Sequence, residues 1–134
     1  MNINEVSRPK IVNYAVNMSY AVLVLGFINI LLEIPSTDKT SISISILFIS
    51  AIIIVGIILF LIISISKGKN WARITFLILF LLGLVPWITT FLQVLQTNLL
   101  SGIISFVQCV LEIIALIFLF RTESSVWFRR NKDF

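Results

Sequence analysis

Four long apolar runs, at about residues 11–33, 43–66, 72–95 and 101–120, leave room for little else in this 134-residue chain. At about 1.5 Å of rise per residue, a helix of some 20 residues reaches across the ~30 Å hydrocarbon core of a bilayer. Lipid offers no partners for backbone N–H and C=O groups, so each run is expected to close its hydrogen bonds internally as an α-helix. Composition agrees: 59% of residues are hydrophobic, 12% are charged and mean hydropathy is +1.11, whereas about a quarter of the residues of a soluble domain are charged. The expectation is an all-α, integral membrane four-helix bundle, one transmembrane domain over residues 1–134. The longest non-spanning piece is the tail of about 14 residues after Phe120, too short for a separate aqueous domain.

Arg8 and Lys10 ahead of the first run resemble the basic start of a secretory signal. The run from Ile11 to Leu32 is too long for the apolar core of such a signal, and Glu33-Ile34-Pro35 is no small-residue cleavage site, so a retained helix is expected. Cys109, the only cysteine, sits inside the fourth run and excludes an intramolecular disulfide.

The ten Lys and Arg residues set an orientation. Nine of the ten lie in the two terminal flanks or around the connection between the second and third runs: Arg8 and Lys10, then Lys67, Lys69 and Arg73, then Arg121, Arg129, Arg130 and Lys132, with Lys39 alone on the other side. Basic flanks are retained in the cytoplasm, so both termini are expected there, with Pro35–Thr40 and Thr97–Leu100 outside. Short loops make consecutive helices antiparallel neighbours, giving an up-down-up-down bundle in the cytoplasmic (inner) membrane. With Glu5, Glu123 and Asp133 set against the nine basic residues, the cytoplasmic rim carries an excess of about six positive charges. Such a rim attracts anionic lipid headgroups. Trp71 beside Arg73, and Trp127 before Arg129 and Arg130, pair indoles with cations as interfacial anchors do.

Thr40 to Ile46 alternates Ser and Ile, a strand pattern in isolation. It runs without a break into the second apolar run, and an unpaired strand cannot enter lipid, so it is expected to be the outer end of helix two. In the third run Gly83 and Pro86 fall near mid-membrane; proline removes a backbone donor and crowds the previous turn, which makes the pair a candidate hinge.

Glu112 is the residue that most invites a functional reading. It lies about twelve residues into the fourth run, near the bilayer centre, where an unpaired carboxylate costs several kcal/mol. At ~100° per residue Ser101, Ser105, Gln108, Cys109 and Glu112 share one arc of the helix, with Ile103, Phe106, Leu111 and Ile114 beside or behind it. Ser101, Ser105 and Cys109 form a small-residue stripe that permits close helix approach. Antiparallel register brings Glu112 level with Tyr20 to Val24 and with Gly83 to Pro86, so Tyr20 and a carbonyl freed by Pro86 are its expected partners. No Lys, Arg or His lies at that depth, and desolvation favours the protonated carboxyl. The group is then either a polar contact that glues helices or a protonatable site that binds a cation or couples proton movement to a substrate, as small multidrug-type transporters use a membrane-embedded Glu. Unlike theirs, this acid lies in the last helix rather than the first, and the aromatic setting expected around it there is not reproduced.

Enzyme chemistry is not expected. The chain has no His and one Cys, which excludes Ser-His triads, histidine-ligated metals and CxxC pairs, and Glu112 has no second carboxylate at its depth for aspartyl chemistry. No cofactor, metal or nucleic acid is expected, since topology accounts for the basic excess. Gly68-Lys69-Asn70-Trp71-Ala72-Arg73 and Ser125-Val126-Trp127-Phe128 resemble the loop and tail of a broad group of small four-helix bacterial inner-membrane proteins of unassigned function. The resemblance covers roughly the second half of the chain and implies fold and location, not activity. The function expected from these residues is that of a non-enzymatic membrane partner or accessory subunit, with self-association through the helix-four stripe or a membrane-protein partner. The alternatives are a small proton-coupled transporter built on Glu112 and an immunity-type protein against a membrane-active toxin.

Overall fold

The computed structural model describes residues 7–33 and 41–130, with side chains for all of these but 33, 41–44 and 47. Glu5, Lys39, Lys132, Asp133 and the expected outer loop Pro35–Thr40 lie outside the described residues. Four long helices account for the apolar runs: α1 Lys10–Glu33, α2 Ser41–Ser66, α3 Asn70–Thr97 and α4 Leu99–Phe120. Their 22 to 28 residues correspond to about 33–42 Å of helix, and all four contain stretches long and apolar enough to cross a membrane. The alternating Ser/Ile segment is helical from Ser41, as lipid requires of it. A fifth helix, α5, Thr122–Arg130, occupies what the sequence suggests is merely a tail.

The connections are built from capping chemistry. At Gly68 the backbone is left-handed, with φ 78°, and its N–H bonds to Ile65 O at 2.9 Å while Lys69 N–H reaches Ser64 O at 3.1 Å. These are the two bonds of a Schellman closure, which a Cβ-bearing residue at Gly68 would strain. Between α3 and α4 there is a single residue, Asn98, where four were expected in the turn. Its N–H bonds to Val94 O at 2.8 Å, closing α3, and its side-chain oxygen accepts from Ser101 N–H at 3.2 Å, opening α4. So tight a reversal needs Gly102: a Cβ there would run into the side chain of Leu95 and stand 3.1 Å from its Cα.

Neighbouring helices pack in sequence, and α1 also packs along α4, closing the bundle. Asn29 meets Ser101 and Ser105 while Val22 meets Gln108, so α1 and α4 run antiparallel. Packing is uneven along the bundle. Val12, Ala15 and Val16 of α1, Leu61, Ile62 and Ile65 of α2, Ala72 and Phe76 of α3, and Leu116 and Leu119 of α4 make one buried cluster, which Trp127 and Phe128 of α5 complete. All lie near the end where α1 begins and α2 ends, termed the base here. Toward the Asn98 end the described side chains are mostly exposed, Ser101 and Gly102 being buried exceptions.

Candidate intramembrane site

The polar arc of α4 divides into two parts. Its outer part is consumed by α1: Ser101 Oγ donates to Asn29 Oδ1, and Asn29 Nδ2 donates to Ser105 Oγ at 2.9 Å. One helical turn closer to the base, Gln108 Nε2 donates to Val22 O at 3.2 Å. Gly26 makes that contact possible, since a Cβ on it would stand only 3.1 Å from Gln108 Nε2. The small-residue stripe therefore serves as a seam within the chain at Ser101 and Ser105, whereas Cys109 and Glu112 lie where the seam opens into a cavity.

The cavity has a volume of about 540 Å³ and lies among all four long helices. Its polar side is Asn29 of α1 with Ser105, Gln108, Cys109 and Glu112 of α4. Its apolar side is Ile54, Ile57 and Ile58 of α2 with Phe76, Leu79, Phe80, Gly83, Leu84 and Trp87 of α3. Glu112 is half-buried. Among the described residues no hydrogen bond or ion pair reaches its carboxyl, and no Lys or Arg lines the cavity. A carboxyl placed in an apolar bundle without a protein partner is poised for a proton, a ligand or water.

Two expected partners of Glu112 are not at the site. Tyr20 is 38% exposed and does not line the cavity, because the α1 face that meets α4 carries Val22, Gly26 and Asn29 instead. Pro86 is exposed and α3 continues through it as one helix; neither Pro86 nor Leu82, the residue whose carbonyl a proline at 86 leaves without its helical donor, lines the cavity. Gly83 does line the cavity, with nothing within 4 Å of where its Cβ would stand. The expectation that no aromatic setting surrounds the acid is corrected by α3: Phe76, Phe80 and Trp87 all border the cavity that holds Glu112. Their spacing of four and seven residues puts them on one helical face, but a helix apolar all round gives no sign of which face looks inward. Trp87 is further braced by Phe91, with ring centroids 4.7 Å apart, and Phe91 by Phe106 of α4 at 6.1 Å.

The expected interfacial anchors also separate. Trp71 is exposed and leans on Phe60 at 5.9 Å, and Arg129 and Arg130 are exposed on α5. Arg73 and Trp127, by contrast, are buried, because α5 folds over the base. Arg73 Nη1 donates to Leu119 O at 3.2 Å and Ser125 Oγ at 3.1 Å, and its guanidinium lies 5.1 Å from the Phe120 ring centroid and 4.8 Å from that of Phe128. Its Nε is buried with no hydrogen-bond partner among the described residues. Among the described residues no cluster of three His, Cys, Asp or Glu side chains could hold a metal ion. No known protein family matches the chain, nor does any curated protein or any solved structure.

Proposed function

We propose that this protein is a small proton-coupled membrane carrier in which Glu112 is the site that a proton and a solute share. One observation carries the proposal: a carboxyl that no hydrogen bond or ion pair reaches among the described residues lines a cavity of about 540 Å³ bordered by aromatic side chains of α3. A residue kept only to glue helices would be expected to spend its hydrogen bonds on a neighbouring helix, as Asn29, Ser105 and Gln108 do. Engagement of Ser101 and Ser105 by α1 also weakens the case for self-association through that stripe, and with it an accessory role resting on it. The basic excess supports an up-down-up-down orientation in the cytoplasmic membrane with both termini inside. There the exposed Lys67, Lys69, Arg121, Arg129 and Arg130 meet anionic headgroups.

The test is labelling of Glu112 by a hydrophobic carbodiimide in native membranes across pH, read by mass spectrometry with Glu112→Gln as the blank. Carbodiimides attack the protonated carboxyl, so labelling is expected at low pH and should fall as pH rises through the titration of the group. A carboxyl unreactive at every pH in folded protein would make Glu112 a packing residue and end the carrier reading.

A further inference from the structure

We infer that the cavity beside Glu112 takes a monovalent hydrophobic cation, seated between the carboxylate and the ring faces of Phe76, Phe80 and Trp87. This rests on the reading of Glu112 as a working carboxyl and adds the class of solute. Charge balance comes first. Among the described residues the cavity brings together one acidic side chain and no basic one, and the only other titratable group lining it from any of the four helices is the Cys109 thiol. An anionic ligand would meet a like charge once the carboxyl ionises, and a neutral one would leave the proton in place, so neither can exchange with the proton on Glu112. A singly charged cation balances it, and a second positive charge would be left unpaired.

The walls decide what sort of cation. A hard metal ion needs about six or more oxygen ligands, whereas the described polar lining is Asn29, Ser105, Gln108, Cys109 and Glu112, much of it already hydrogen-bonded. Both ends of the Asn29 amide are bonded to Ser101 and Ser105, and the Gln108 amide nitrogen is bonded to Val22 O. What remains is mostly hydrocarbon and three aromatic side chains, which attract diffuse organic cations through their ring faces and gain strength where water is excluded. A volume of about 540 Å³ lies within the range of roughly 300–1,000 Å³ usual for sites that take small organic molecules. Binding is an exchange: the protonated carboxyl releases its proton to water as the cation arrives, so the site's charge is neutral before and after.

Tetraphenylphosphonium and tetraphenylborate share a shape and differ in the sign of their charge, and the chain's single cysteine, Cys109, lines the cavity as a reporter. Alkylation of Cys109 by N-ethylmaleimide is measured in the full-length protein in membranes with each ion present. Tetraphenylphosphonium is expected to slow alkylation saturably and tetraphenylborate at the same concentration is not. Glu112→Gln is expected to weaken the protection roughly tenfold or more, equivalent to about 1.4 kcal/mol. Glu112→Asp, which keeps the charge, is expected to retain it at reduced affinity even where Glu112→Gln assembles poorly. Equal protection by both ions, protection undiminished in Glu112→Gln, or a Cys109 that never reacts in the ligand-free protein would each overturn the inference. If Glu112 still reacts with carbodiimide in a pH-dependent way while tetraphenylphosphonium gives no protection, the solute class fails and the working carboxyl stands. Loss of both signals removes both.

Discussion

At the scale of single residues, the site depends on side chains that are already satisfied leaving one that is not. Asn29 spends its amide on two serines and Gln108 reaches back to α1, and neither bonds to Glu112. Gly83 is the complement: it borders the cavity and has open space where a side chain would go. Gly83→Phe is therefore expected to fill the cavity from the α3 side without disturbing packing at the base. Protection of Cys109 by tetraphenylphosphonium should be lost while thermal stability in detergent changes by less than about 1 kcal/mol. A stable variant that keeps full protection would place the ligand elsewhere. Glu112, Gln108 and Cys109 were legible as neighbours because a polar arc on an otherwise apolar helix shows its own direction. Tyr20 was misplaced because α1 carries polar residues on nearly opposite faces, and sequence depth does not say which face meets α4.

At the scale of elements, α5 shows how helix ends govern the base of the bundle. The last carbonyls of a helix have no partner within it. In α4 that of Phe118 accepts from Ser124 Oγ at 2.6 Å, that of Leu119 from Arg73 and that of Phe120 from Ser125 Oγ at 3.3 Å. Two serines and one arginine thus turn the end of α4 into the docking point of α5, and Phe128, fully buried, is packed under the Arg73 guanidinium. Arg73→Lys keeps the charge but not the planar group that bonds and stacks at once. It is expected to destabilise the docked helix by about 1–2 kcal/mol, read as several-fold faster trypsin cleavage at Arg121, Arg129 and Arg130. Unchanged cleavage would mean that Arg73 does not hold α5. None of this was evident from the tail alone: Trp127 and Arg73 look like lipid anchors until a short amphipathic helix is placed over the base. The four spans were legible for the opposite reason, since long apolar runs admit no structure in lipid but helix. The inward faces of α2 and α3 were not, because both helices are apolar all the way round.

At the scale of the whole molecule, tight packing and open space are segregated. The buried cluster from Val12 to Phe128 closes the base, and the cavity begins above it, at the level of Phe76 and Glu112. A bundle whose rigidity is concentrated at one end holds the carboxyl in place while leaving a volume beside it, which a uniformly packed bundle of this size would not. The central claim is that proton and cation compete for Glu112, and proton release on binding tests it most directly. Tetraphenylphosphonium is added to the full-length protein in weakly buffered detergent solution, and pH change and bound cation are recorded together. Release approaching one proton per cation is expected where Glu112 starts protonated, with apparent affinity rising as pH rises, and no release is expected from Glu112→Gln. Saturable binding with no proton released at any pH, or the same release from Glu112→Gln, would contradict it.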